Sequence, residues 1–173
     1  MLASFAFVFG LVWGSFLNVV GLRLPQGQSL LWPPSHCPSC KHRLRPKELI
    51  PVISYLWLRG RCSNCRARIS PLYPLVEILT ASLFLLSYWL FGYHLEWLLS
   101  LILISLLLSA SISDIRYMLI PPWLTVTGTL LFLLIRFFYH PLGSVWDYVW
   151  GMVLGGGILY AVRWLSRGGM GGG

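Results

Sequence analysis

Acidic residues, and charged residues in general, are scarce in this chain. Only 5 of the 173 residues are Asp or Glu, and charged residues of both signs make up 10% of the sequence. Hydrophobic residues make up 57%, and the mean hydropathy is +0.72. This composition cannot supply the polar surface of a soluble domain, so it places the chain among integral membrane proteins.

The apolar residues are grouped into five long runs. A hydrocarbon core of about 30 Å requires about 20 residues of helix, and the runs cover residues 2–22, 74–93, 95–113, 120–139 and 146–165. We therefore predict an all-α polytopic membrane protein with about five transmembrane helices. The first run lacks a preceding basic segment and is followed by Arg23, so we expect a retained helix and not a cleaved signal peptide.

Basic residues are concentrated between the first two runs. Residues 23–73 contain nine of the thirteen Lys and Arg residues, and basic loops stay on the cytoplasmic side of membranes. We therefore expect a cytoplasmic loop domain at 23–73 and an amino terminus outside, with residues 1–22 and 74–173 as the membrane parts. Anionic lipid headgroups attract such a segment by about 1 kcal/mol per basic residue. They account for the net charge of +8 without a nucleic-acid partner.

All four cysteines lie in this loop, in two copies of one pattern. Cys37 and Cys40 form the first Cys-x-x-Cys pair, and Cys62 and Cys65 form the second. Each pair is followed by a basic residue, any residue, an arginine and an aliphatic residue. Thiols in a reducing cytosol favour metal binding over disulfides, and the pattern predicts a structural zinc site with four thiolate ligands. The alternatives are incidental free thiols or a thioredoxin-like redox pair, whose βαβ context is absent.

Two acidic residues are candidates for chemistry. Asp114 closes the third apolar run, where a carboxylate within the hydrocarbon would cost about 2.5–3.5 kcal/mol. It could be compensated by Arg116, two residues further on, or by a second carboxylate that shares a proton with it. Glu77 lies on the same predicted side of the membrane. The sequence leaves both alternatives open.

The chain resembles the type IV prepilin peptidases along nearly its whole length. The matching blocks follow the family's order and are Gly14-Ser15-Phe16-Leu17-Asn18, Arg23-Leu24-Pro25, Cys37-Pro38-Ser39-Cys40, Leu49-Ile50-Pro51, Arg59-Gly60-Arg61-Cys62, Pro71-Leu72-Tyr73-Pro74 with Glu77, and Asp114 with Ile120-Pro121. The resemblance implies a bacterial inner-membrane aspartyl peptidase. It would cut the basic leader of pilin or pseudopilin precursors and then methylate the new amino terminus with S-adenosylmethionine.

The resemblance assigns the first catalytic aspartate to Asp114. The family carries its second aspartate in a Gly-x-Gly-Asp motif, whereas this sequence ends Gly-Met-Gly-Gly-Gly at Gly173. We therefore expect residues 74–173 to be the front part of the peptidase domain, and these 173 residues to be inactive by themselves. We assign Arg59, Arg61 and Glu77 to substrate binding. The methyl-donor site has no recognisable motif, because a glycine-rich loop after a strand is absent. The alternative function is a non-catalytic zinc-binding membrane scaffold.

Overall fold

The computed structural model describes residues 1–138 and 145–165, and its regular elements are helical. Six α-helices are described: α1 (Leu2–Arg23), α2 (Ile53–Trp57), α3 (Leu72–Phe91), α4 (Leu95–Tyr117), α5 (Pro122–Phe138) and α6 (Val145–Leu165). Two short 3₁₀ helices, Leu24–Gln26 and Pro46–Leu49, lie in the loop after α1. Met1–Pro121 and Pro122–Gly173 are separate compact units.

Three helices are long and apolar enough to cross a membrane. They are α1 extended to Gln26, α3 and α4, with mean hydropathies of 1.9, 1.6 and 2.2. These helices confirm a helical membrane protein and the first three predicted spans. In the second unit the apolar helical stretches are shorter, Pro122–Ile135 and Val149–Val162. A count of five spans therefore stays a prediction.

Glycines bring α1 close to its two neighbours. A Cβ atom added at Gly10 would lie 2.6 Å from the Ala81 Cα, and one at Gly14 would lie 2.8 Å from the Glu77 Cα. A Cβ at Gly21 would lie 2.7 Å from the Ile112 Cβ. Small residues at four-residue spacing allow membrane helices to approach in this way. These contacts make α1 antiparallel to α3 and bring the C-terminal ends of α1 and α4 together.

The core of the first unit forms two layers along these three helices. One layer is Ala6, Phe84, Trp97 and Leu101, and the other is Leu17, Val76 and Ile112. The Trp13 indole N–H crosses between helices and donates to the Ser105 hydroxyl at 2.8 Å. Apolar side chains on the outer faces are exposed, as expected for surfaces that contact lipid. The packing therefore fixes which ends of α1, α3 and α4 lie together at the loop.

Candidate functional site

The loop after α1 folds into two similar hairpin turns around the cysteine pairs. In the first, Cys37 N–H donates to His42 O at 2.9 Å and Lys41 N–H to Cys37 O at 2.9 Å. In the second, Cys62 N–H donates to Ala67 O at 2.9 Å and Arg66 N–H to Cys62 O at 3.1 Å. Lys41 and Arg66, each directly after its pair, have matching left-handed φ values of 58° and 60°. The repeated sequence pattern is therefore a repeated structure.

The two turns bring four sulfur atoms together. All four Sγ atoms lie within 4.8 Å of one another, with Cys37 Sγ 3.8 Å from Cys65 Sγ and Cys40 Sγ 3.9 Å from Cys62 Sγ. Tetrahedral zinc with Zn–S bonds of about 2.3 Å would separate its sulfurs by about 3.8 Å. The arrangement therefore fits a four-thiolate metal site, which the cysteine spacing predicts.

The electrostatics of the cluster also suit a cation. The N–H of Cys40 is the main cause that lowers the pKa of Cys37 to about 6, so this thiol ionises at neutral pH. The N–H of Ala67 acts in the same direction on Cys65, yet hydrogen bonding with Cys40 and the other thiols outweighs it and raises the pKa of Cys65 to about 11. Negative charge on the neighbouring sulfurs disfavours ionisation of the Cys65 thiol. A divalent cation among the four sulfurs would favour the thiolate form of all of them.

Glu48 connects the two turns. Its carboxylate accepts hydrogen bonds from the Ser63 hydroxyl and from the Arg45 N–H, the latter at 2.7 Å, and the Ser63 bond is the main cause that lowers its pKa. His42 Nε2 lies 3.9 Å from Glu48 Oε2. The bonds of Glu48 show that it links the second cysteine turn to the segment that follows the first.

An open groove of about 480 Å³ lies at the base of the second turn. Arg59 and Arg61, which the sequence analysis assigns to substrate binding, both line it. The other lining residues are Tyr55, Gly60, Arg68, Ile69, Ser70 and Pro71. The backbone of Arg68 forms an antiparallel bridge with that of Arg61 across the turn. The exposed side chain of Arg68 adds a third guanidinium to the groove. Sequence reasoning missed Arg68, although its place in the duplicated pattern was a usable signal.

Glu77 is buried at the base of the loop, with 7% of its surface exposed. Its Oε2 accepts the Val52 N–H at 2.7 Å, and the Ser15 side chain is a second hydrogen-bond partner. These contacts join α1, α3 and the segment before α2. They are contacts within the chain, and they tie the loop to the membrane helices.

Asn18 lies on α1, about one helical turn after Ser15, and its surface is 2% exposed. Its Nδ2 donates to Gly14 O at 3.3 Å and, on α3, to Tyr73 O at 3.2 Å. The second bond joins α1 to α3 at the loop end of the bundle.

Asp114 lies in the last turn of α4, with an exposed side chain. Close by, Tyr117 donates from its hydroxyl to Leu22 O at 3.0 Å, which places the end of α4 beside the end of α1. Among residues 1–138 and 145–165 no ion pair joins Asp114 to Arg116. Side chains two residues apart point to different faces of a helix, which keeps these two charges apart. The Arg116 alternative is therefore not found.

The glycine-rich segment 168–173, where the resemblance places the approach to a second aspartate, lies outside the described residues. Within the first unit, the ends of α1, α3 and α4 that face the loop carry Asp114 and Glu77. The base of the second cysteine turn runs directly into α3, since only two residues separate Ile69 from the first residue of α3. The arrangement offers one accessible carboxylate at the loop end of a membrane bundle, and an arginine-lined groove in the loop.

Comparison with known proteins gives two family matches in chain order. Residues 8–91 match the Bacterial Peptidase A24 N-terminal domain, and residues 101–173 match the Type IV leader peptidase family. No solved structure gives a significant match.

Three curated relatives are described as prepilin leader peptidase/N-methyltransferase. The Bacillus subtilis protein is 38% identical over 170 residues, which cover 98% of this chain and 68% of that protein. The Myxococcus xanthus protein is 44% identical over 83% of this chain and 42% of its own length. The Klebsiella pneumoniae protein is 39% identical over 95% of this chain and 74% of its own length. The chain therefore spans between two fifths and three quarters of these relatives.

Proposed function

Since the chain belongs to the type IV leader peptidase family, we propose that it works as a prepilin leader peptidase and N-methyltransferase. It would cleave the basic leader of type IV pilin-like precursors at the cytoplasmic face of the bacterial inner membrane and methylate the new amino-terminal residue. The observation that carries the proposal is the position of Asp114, accessible in the last turn of α4 at the loop end of the bundle.

The proposed chemistry is general acid–base hydrolysis by a pair of carboxylates. Two carboxyl groups that share a proton allow one to take a proton from water while the other donates one to the leaving amine. Asp114 supplies one of these carboxylates. Its exposure leaves room for a water molecule and a peptide, whereas Glu77 is buried and bonded to Val52 and Ser15. We therefore propose that Glu77 positions the loop that contacts the substrate.

The substrate's acidic side chain near the cleavage point is proposed to bind the groove of Arg59, Arg61 and Arg68. Exposed ion pairs are worth up to about 1 kcal/mol each, so removing one changes affinity up to about fivefold. Arg59→Glu and Arg61→Glu should therefore raise KM about fivefold each at low salt and leave metal content unchanged. Lys47→Glu, a charge reversal outside the groove, is the control. A KM unchanged in both arginine variants would contradict this part of the proposal.

Orientation and cofactors complete the proposal. The basic loop supports a cytoplasmic 23–73 domain between the first helix, 1–22, and the remaining membrane part, 74–173, with the amino terminus outside. Zinc is proposed as the structural metal because four thiolates at these spacings suit it. Cys37, Cys40, Cys62 and Cys65 would hold it and leave no open position for catalysis. S-adenosylmethionine as methyl donor is proposed from the family alone.

The test is precursor cleavage in membranes that contain the full-length protein. Asp114→Asn keeps the size and shape of the side chain but removes its acid–base chemistry. We expect a loss of cleavage of at least about 100-fold, in the range of removing a general acid–base group. Glu96→Gln, at the opposite end of α4, should cleave normally. Cleavage retained by Asp114→Asn would refute the assignment of Asp114, whereas absence of cleavage by the wild type would favour the scaffold alternative.

A further inference from the structure

Helix α2 in the loop presents an apolar face to its surroundings. Ile53, Leu56 and Trp57 are 58%, 68% and 81% exposed. Their spacing, i, i+3 and i+4, puts all three on one side of the helix. Three exposed large apolar side chains in a cluster are unusual on a surface that faces only water.

The other side of α2 is fixed to the protein. The Tyr55 hydroxyl donates to Ile69 O at 3.4 Å. The Tyr55 side chain also packs against Gly60, where an added Cβ would lie 2.8 Å from the Tyr55 oxygen. Tyr55 thus fixes the side of α2 opposite the apolar face. The apolar face cannot turn toward the protein without breaking these contacts.

The depth of α2 relative to the membrane helices follows from Glu77. The Val52 N–H, directly before α2, donates to Glu77 Oε2 at 2.7 Å. Glu77 lies five residues after Leu72, or about 7.5 Å along α3. Helical side chains lean toward the amino terminus, so Val52 lies beside the first two turns of α3 and not beyond its end.

The backbone at Val52 reinforces this placement. Val52 has φ 60° and ψ −50°, and the Ile53 N–H bonds back to Pro51 O at 2.6 Å. These are the features of a γ-turn that is rare and strained, above all for a β-branched residue. A strained turn persists where surrounding contacts enforce it, and the Glu77 bond is such a contact.

We propose that α2 is an interfacial anchor whose Ile53, Leu56 and Trp57 side chains enter the headgroup–acyl boundary of the leaflet on the loop side. Leu75 and Ile78, in the same first turns of α3 as Glu77, are also exposed apolar residues. Tryptophan with aliphatic neighbours on a short amphipathic helix suits that boundary. A stable protein interface buries about 800 Å² on each side, more than three side chains supply, whereas lipid adjoins α3 wherever it crosses the bilayer.

The experiment places a photo-crosslinker on the face of α2. The full chain is reconstituted into vesicles of phosphatidylcholine and phosphatidylglycerol, with p-benzoylphenylalanine at position 56 or 57 in separate variants. Ser39, exposed in the first cysteine turn, carries the same probe in the control. After irradiation, lipid adducts are counted by mass spectrometry, and the metal content of each variant verifies that the loop has folded.

We expect at least fivefold more lipid adducts at positions 56 and 57 than at 39. Equal labelling at all three positions would overturn the anchor, because the loop would then contact lipid without preference. Adducts to protein predominating at 56 and 57 would overturn it in favour of a protein partner. The readout does not depend on peptidase activity, so it can fail or succeed independently of the proposed function.

Discussion

The bond between Glu77 and Val52 gives a prediction about how the loop is held. Glu77→Ala removes the carboxylate that accepts the Val52 N–H at 2.7 Å and also bonds to Ser15. The shortened side chain leaves both partners without their acceptor at a buried position. We expect the segment around Val52 to open from α3 while α1 and α3 stay packed, because their contact at Gly10 and Gly14 does not involve this side chain.

The size of the effect follows from the donors that lose their acceptor. A buried donor left unpaired costs about 1–3 kcal/mol. The loss of the Val52 bond should therefore raise the population of the open segment about 5- to 100-fold, at 1.4 kcal/mol for each factor of ten. Glu77→Gln keeps an amide oxygen as acceptor. Neutral hydrogen bonds contribute about 0.5–1.5 kcal/mol. The population of the open segment in Glu77→Gln should therefore lie between that of the wild type and that of Glu77→Ala.

Amide hydrogen exchange of the reconstituted chain measures this opening. Peptides that cover residues 50–58 should exchange about 5- to 100-fold faster in Glu77→Ala, while peptides from the middle of α3 keep their protection. Glu96→Ala, at the opposite end of the α3–α4 pair, should leave residues 50–58 unchanged. Exchange at 50–58 as slow in Glu77→Ala as in the wild type would refute the reasoning, because the bond would then not hold the loop.

Three further predictions concern the metal site and the packing of α1. Cys40→Ser should reduce bound metal from about one ion per chain to less than half, measured by mass spectrometry of the metal, while Ser39→Ala retains it. Glu48→Gln should loosen the loop, detected by limited proteolysis. Because the folded pKa of Glu48 is lowered, its stabilisation is full above its ordinary value of 4.5 and lost as the pH falls further. A difference from the wild type that did not shrink as the pH fell below 4.5 would contradict this. Gly14→Ala should cost about 1–3 kcal/mol of stability in thermal unfolding, whereas Gly151→Ala, with no described atom within 4 Å, should not destabilise.

The helices and the metal cluster were predictable because they depend on local patterns. Apolar length determines α1, α3 and α4, although α4 continues to Tyr117, three residues beyond Asp114, so that this residue lies within the helix. The cysteine spacing predicts the four-sulfur cluster, since each turn is short and self-contained. The glycines at 10 and 14 likewise predict close helix packing.

The contacts that assemble the site could not be predicted from the sequence, because they join residues that are far apart along the chain. Glu77 bonds to Val52, 25 residues away, and Tyr117 bonds to Leu22, 95 residues away. No local pattern specifies such partners. Arg116 is the instructive case, because proximity in sequence made it a candidate partner for Asp114. The helical geometry directs the two side chains to different faces of α4 instead.

The positions of the cysteines suggest why a structural metal lies beside the membrane. Gly60 and Ile69 close the second turn with a 2.8 Å hydrogen bond, and Arg61 and Arg68 pair just above them, next to Cys62. A metal ion that fixes Cys62 and Cys65 would therefore also fix the separation of these two arginines. Because α3 starts at Leu72, the same turn is joined to a membrane helix by only two residues. The metal would thus hold the basic groove at a set height above the bundle, as the proposed binding of an anionic substrate side chain requires.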